Sequence, residues 1–190
     1  MQDNNRTIDW QRVAKRIRVP LGFAFAVFYV WRARPTTTSL IAGAVVALFG
    51  VWIRAYASGY VNKNEALAVS GPYAHTRNPL YLGTVVIGIG FAIAARSVVI
   101  AVAAIIMYVF IYVPVIRGEE AFLSSRFPEF AAYKAQVPRL IPRATAARIG
   151  QQSSGSFSAE LYAKHREYNA LIGALAMLGV LVVKLIRFSH

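Results

Sequence analysis

Residues 77–120 read "RNPLYLGTVVIGIGFAIAARSVVIAVAAIIMYVFIYVPVIRGEE". Between Pro79 and Ile116 the only charged side chain is Arg96, followed by Ser97. Two apolar runs, Leu80–Ala95 and Ser97–Ile116, therefore meet at one polar hinge. A bilayer core about 30 Å thick takes roughly 20 helical residues, with a tolerance down to about 17. The second run meets that length unaided, and the first reaches it with its flanks. The pair predicts a transmembrane hairpin whose polar ends, "RNPLY" and "RGEE", emerge side by side.

Working outward, three more runs lack any acidic or basic residue: Val19–Trp31, Thr38–Ile53 and Ala170–Val183. They need flanking residues and snorkelling Arg, Lys, Trp and Tyr to complete a span. The chain is 57% hydrophobic with a mean hydropathy of +0.47, and its 15% of charged residues falls below the roughly 25% of soluble chains. An all-α membrane protein follows, a bundle of about five transmembrane helices. The basic start before Val19 resembles a signal peptide in outline, but "RARPTTTS" after Trp31 offers no small-x-small cleavage site, so the helix is expected to be retained.

The charges are sorted along the chain. Every acid (Asp3, Asp9, Glu65, Glu119, Glu120, Glu129, Glu160 and Glu167) lies in 1–18, 54–79 or 117–168, together with most of the basic residues. Pairing the runs as hairpins puts these three segments on one face, which the positive-inside tendency assigns to the cytoplasm. The net charge of +13 then reads as topology and contact with anionic lipid headgroups. Nucleic-acid binding is disfavoured because no aromatic–basic module accompanies the charge. With no cysteine there is no disulfide framework, thiol nucleophile or cysteine metal site, and three scattered histidines speak against a metal centre.

The organisation expected is a basic interfacial helix over 1–18, a membrane core over 19–143 with its motifs in 60–143, a polar linker over 144–158, and a C-terminal helix over 159–190 that reads as a further span. After Ile116, the apolar spacing of Phe122, Leu123, Phe127, Phe130 and Tyr133 predicts an amphipathic helical pair that lies on the membrane or caps the bundle. A short extended piece is expected at "ALAV" (66–69).

At the mouth of the third run, Asn78 is expected to cap a helix whose first residue is Pro79. Glu119 and Glu120 fall where the fourth run leaves the membrane, beside Arg117. Paired carboxylates at a helix C-terminal end are unfavourable unless something positive binds there. A cationic ligand that carries a carboxylate of its own would suit this Arg-and-Glu arrangement.

"GPYAHTRNPLYLG", a hydrophobic hairpin, and then "EEAFLSSRFPEFAAYKAQVPRLIP" together resemble the isoprenylcysteine carboxyl methyltransferase family and the related phospholipid N-methyltransferases. The resemblance covers about residues 60 to 143. It implies a membrane methyltransferase with a cytoplasmic pocket for S-adenosyl-L-methionine, released as S-adenosylhomocysteine, and a lipophilic methyl acceptor drawn from among the membrane lipids or a prenylated cysteine. Carried over by position, Tyr73, Asn78, Pro79, Leu80 and Tyr81 would line the cofactor pocket. The backbone of Glu65, Ala66, Leu67 and Ala68 would run along it, and Glu119, with Glu120 beside it, would hold the cofactor's ammonium. Arg77 and Arg117 are the candidates for gripping an anionic group of cofactor or substrate.

One position departs from the family pattern: its usual histidine is Asn78 here. An amide hydrogen-bonds but does not titrate near neutrality, which favours an O- or S-acceptor that attacks as an anion over an amine that must first lose a proton. Competing readings are a phospholipid or amine N-methyltransferase, an NADPH-dependent sterol-type reductase, which would want clustered basic residues in place of the Glu pair, and a non-enzymatic membrane scaffold. "GIGFA" (88–92) sits inside a span, so Gly83, Gly88 and Gly90 are read as helix-packing residues. His75 and His165 are expected to be solvated or interfacial, and Tyr108 and Tyr112 to be packing residues.

Overall fold

Ser/Thr caps, left-handed turns and close-packed glycines set the architecture. The computed structural model describes residues 4–61, 66–148 and 155–188, with backbone alone for 4–12, 15, 18 and 188. Its helices are α1 (Asn4–Arg32), α2 (Thr37–Ser58), α3 (Pro79–Ala95), α4 (Val98–Met107), α5 (Val113–Arg126), α6 (Phe130–Gln136), α7 (Ala159–His165) and α8 (Tyr168–Phe188). A 3₁₀ turn occupies Gly71–Ala74, and a π-helical turn, Tyr108–Tyr112, joins α4 to α5. Among the described residues there is no strand.

Three helical stretches are long and apolar enough to cross a membrane: Thr37–Ser58, the continuous rod Val98–Arg126, and Tyr168–Arg187. Val19–Arg32 and Pro79–Ala95 are shorter apolar helices. The five apolar runs thus become five helices, three of full spanning length. α1 continues unbroken from the basic segment into the first apolar run and carries Pro20 inside it.

The turns alternate between two ends. Thr36 and Ser39 form a reciprocal capping box that starts α2. Arg96, with φ +50°, closes α3 in the left-handed conformation, and Ser97 caps α4 by accepting from the Ile100 N–H at 3.4 Å. Arg34 N–H donates to the Ala95 carbonyl (3.0 Å), and Lys184 Nζ reaches the Trp31 carbonyl (3.1 Å). The α1–α2 turn, the α3–α4 turn and the end of α8 therefore share one end of the bundle. The motif residues gather at the other.

Glycine lets α2 and α3 touch backbone to backbone. A Cβ at Gly43 would lie 2.4 Å from the Gly90 carbonyl oxygen, and one at Gly83 would lie 2.8 Å from that of Gly50. Small residues at a helix interface give close packing in lipid, where van der Waals fit replaces the hydrophobic drive. Gly83 and Gly90 do what the sequence suggested. Gly88 differs: a Cβ there would meet nothing within 4 Å, because it faces a cavity.

The expected amphipathic pair is resolved in two parts. The fourth span does not stop at Ile116 but runs on as α5 to Arg126, and α6 follows as a separate short helix. Phe130, Tyr133 and Val137 pack with Leu67, edged by Val69, Leu123 and Phe127. The "ALAV" segment thus packs against α6 without forming a strand, and α6 caps the bundle. The linker is tied near both ends: Ala147 N–H bonds the Ala74 carbonyl, and Ser158 N–H bonds that of Gly59, both at 2.9 Å. Phe157 stacks on Tyr56, with ring centroids 6.2 Å apart.

Candidate functional site

The polar run before α3 is first of all a clamp. Thr76 Oγ1 lies 3.1 Å from both the Arg139 and Leu140 carbonyls. Arg77 N–H bonds the Pro138 carbonyl at 2.9 Å, and Arg143 N–H bonds that of His75 at 3.0 Å. The His75 ring closes the loop through Nδ1 to the Arg143 carbonyl (2.9 Å). The segment 138–143 lies outside any helix, so its carbonyls have no regular intrahelical partner, and the motif supplies several. Tyr133 donates its hydroxyl to the Tyr73 carbonyl at 2.8 Å. Burial pushes both phenols, Tyr73 and Tyr133, well above the usual tyrosine range.

Asn78 stands at the N-cap of α3, but its side chain makes no cap bond. It donates instead to Glu120 Oε1 (3.2 Å) and to the Arg139 carbonyl (3.0 Å). Glu120 also pairs with Arg77 (3.2 Å) and Arg139 (2.8 Å). Arg77 and Glu120 are each only 8% exposed at the side chain, whereas Arg139 is 42% exposed. Its hydrogen bond to Glu120 raises the Arg139 pKa further. The result is a buried charge knot behind the mouth of α3.

Glu119, one residue earlier, turns the other way. It is exposed and accepts the Tyr81 hydroxyl at 2.9 Å, with the Tyr81 ring set edge-on to Tyr112. Both lie on a cavity of about 820 Å³. Away from its polar end the cavity is mostly apolar, with small residues from several helices (Gly22 and Ala26 on α1, Gly88 and Ala92 on α3, Gly173 and Ala174 on α8) beside larger ones such as Phe25, Phe91 and Met177. Its polar end carries Arg54, Thr84, Tyr81, Glu119 and Glu167. Arg54 meets Glu167 in a two-point pair, Nε to Oε2 and Nη2 to Oε1, both 3.0 Å. Its remaining nitrogen, Nη1, donates to Thr84 Oγ1 at 2.6 Å and to the Leu80 carbonyl at 3.3 Å. A second, almost wholly apolar groove of about 770 Å³ lies between α3 and α4 and shares Thr84, Gly88 and Tyr112 with the first.

The residues expected at a site thus divide. Leu80, Tyr81 and Glu119 line the cavity. Tyr73, Asn78 and Pro79 are buried behind the mouth, and Arg77 and Glu120 are bound to one another. Arg117 is exposed on α5, Ala66 is exposed, Leu67 is buried against α6, and Ala68 is half-buried. Glu65 lies outside the described residues. Sequence reasoning did not single out Arg54, Thr84, Arg139 or Glu167. A signal existed for two of them: Arg54 directly follows the apolar run ending at Ile53, and Glu167 precedes the last run, opposite charges at one predicted face.

The cavity is polar at one end and apolar within, and it lies in a helical bundle with three helices long and apolar enough to cross a membrane. Residues 37–129, just under half of the chain, match the phospholipid methyltransferase family. It is similar to a cobalt-zinc-cadmium resistance protein, CzcN, of Cupriavidus metallidurans, 33% identical over 107 residues that cover 56% of this chain and 49% of that protein. It is also similar to a nickel-cobalt-cadmium resistance protein, NccN, of Alcaligenes xylosoxydans xylosoxydans, 32% identical over 114 residues, 60% of this chain and 53% of that protein. The chain spans about half the length of these relatives. No solved structure matches it.

Proposed function

We propose that this protein transfers the methyl group of S-adenosylmethionine to a lipophilic or membrane-associated acceptor, with an oxygen or sulfur anion favoured over an amine. The observation that carries the reading is the cavity itself. An exposed carboxylate, Glu119, braced by Tyr81, stands at the polar end of an otherwise apolar chamber in a chain that matches this family.

Bound there, the cofactor would supply a sulfonium methyl, with the acceptor–carbon bond forming as the carbon–sulfur bond breaks and the electron pair left on sulfur as a neutral thioether. The protein's share is position and dryness. Glu119 suits the cofactor's ammonium, Leu80 and Tyr81 would flank its rings, and the glycine-lined interior and the α3–α4 groove would take an apolar tail. Asn78, held by Glu120 and the Arg139 carbonyl, has no free base to offer, which fits an acceptor that already carries its negative charge. By the positive-inside tendency, this end faces the cytoplasm.

A reductase binding NADPH would need several cations for its phosphates. Among the described residues, the polar end of the cavity pairs a single arginine with two carboxylates, which supports the sulfonium reading instead. The relatives are named for metal resistance. The contribution proposed for this chain is chemical modification of a membrane-associated molecule.

Calorimetric titration of the detergent-solubilised protein with S-adenosylhomocysteine tests the reading, with NADPH as control. Saturable binding that Glu119→Ala weakens at least tenfold is expected. Binding of NADPH in its place would move the chain to the reductases.

A further inference from the structure

Among the described residues, Arg54 is the one cation on the cavity wall, and its partners come from two sides. Thr84 Oγ1 and the Leu80 carbonyl, both on α3, hold Nη1. Those bonds alone orient the guanidinium plane, leaving its Nε–Nη2 edge presented to whatever sits opposite. That edge is the geometry that grips a carboxylate or phosphate at two points. Glu167 fills it now. Glu167 lies in the two-residue turn between α7 and α8, after Arg166, whose φ of +53° is an uncommon conformation for a side chain with a Cβ. Only its side chain holds Arg54; its carbonyl accepts the Ala170 N–H at 3.0 Å at the start of α8, so leaving Arg54 asks for a side-chain rotation and no change in the helix.

We propose that Arg54 is an anion subsite of the cavity and that Glu167 is an internal carboxylate occupying it until a ligand's own carboxylate or phosphate displaces it. The charge balance favours the exchange. With Glu167 in place the polar end holds two carboxylates and one guanidinium. With Glu167 withdrawn, Glu119 and Arg54 remain, an acidic and a basic group complementary to a zwitterion such as an α-amino acid moiety. The anion can come from the cofactor's amino-acid carboxylate, an arm that rests on the methyltransferase reading, or from an acceptor's headgroup. The exchange also gives the α7–α8 turn, which lies beyond the family-matched region, a part in ligand binding.

The test titrates two probes, S-adenosylhomocysteine and oleate, into the full-length protein, its Glu167→Gln variant and its Arg54→Gln variant. 5′-Methylthioadenosine, which lacks the amino-acid group, serves as the neutral comparison, and thermal unfolding is followed throughout. Glu167→Gln is expected to tighten one anionic probe at least fivefold and leave 5′-methylthioadenosine unchanged, while Arg54→Gln weakens the same probe at least tenfold. Tightening of the homocysteine compound assigns the subsite to the cofactor; tightening of oleate assigns it to the acceptor. If Glu167→Gln tightens neither probe, or only lowers the unfolding temperature, the pair is a pin between α2 and α8 and the subsite is refuted. Wild-type binding of S-adenosylhomocysteine is read separately, so failure of the subsite leaves the methyltransferase reading standing, and the reverse holds for oleate.

Discussion

Glu119 and Glu120 are adjacent in sequence and opposite in circumstance. Glu120 is held by two arginines and an amide in a nearly dry knot; Glu119 faces the cavity mouth. Breaking a buried ion pair by removing one partner leaves the other charge uncompensated. Glu120→Ala is therefore expected to cost about 3–5 kcal/mol of unfolding free energy in detergent, stranding the Arg77 guanidinium. Arg139→Ala removes a half-exposed partner and should cost about 1 kcal/mol or less, as for surface pairs. Equal losses in the two variants would mean the knot is not organised around Arg77. The buried phenols give a second expectation. Tyr73 and Tyr133 hold their protons past the ordinary value of 10, whereas the unfolded chain releases them there. Above that pH the unfolded state binds fewer protons than the folded one, so stability declines. The unfolding temperature should show no contribution from these groups below about pH 10 and should fall progressively above it, an effect lessened in Tyr73→Phe.

At the scale of elements, the glycines of α2 and α3 look interchangeable in sequence and are not. Gly43→Ala drives a methyl into the Gly90 carbonyl and the Ala94 backbone, and should destabilise by about 1–3 kcal/mol through overpacking. Gly88→Ala meets open space and should leave stability within about 0.5 kcal/mol of wild type. Comparing the two unfolding midpoints checks the packing of α2 on α3 directly. The helices themselves were legible, since apolar runs bounded by Arg96–Ser97 or by Asn78–Pro79 can do little else in a bilayer. Their boundaries were less so. α5 runs ten residues past Ile116 because Glu119 and Glu120 find cationic or hydroxyl partners there and do not terminate the helix.

For the molecule as a whole, sidedness is the exposed claim. The chain has no cysteine, so single cysteines report cleanly. Thr38→Cys, at the end shared by the α1–α2 and α3–α4 turns, should react with an impermeant maleimide on intact cells. Ser125→Cys, exposed near the end of α5, should react only after the membrane is opened. The reverse pattern would invert the bundle and put the cavity's polar end outside.

The existence of a helical membrane bundle, its hairpin order and the clustering of "RNPLY" with "EE" at one end were determined by the sequence alone, because hydropathy and charge sorting leave a bilayer-embedded chain few choices. Which of those polar residues face a cavity was decided only by tertiary structure. A difference of one position on a helix turns a side chain by about 100°, enough to send Glu119 to the chamber and Glu120 into the knot. The pairing of Arg54 with Glu167, 113 residues apart, arises from how α8 packs against α2, and no local pattern encodes a contact between faces that meet only once the bundle is assembled.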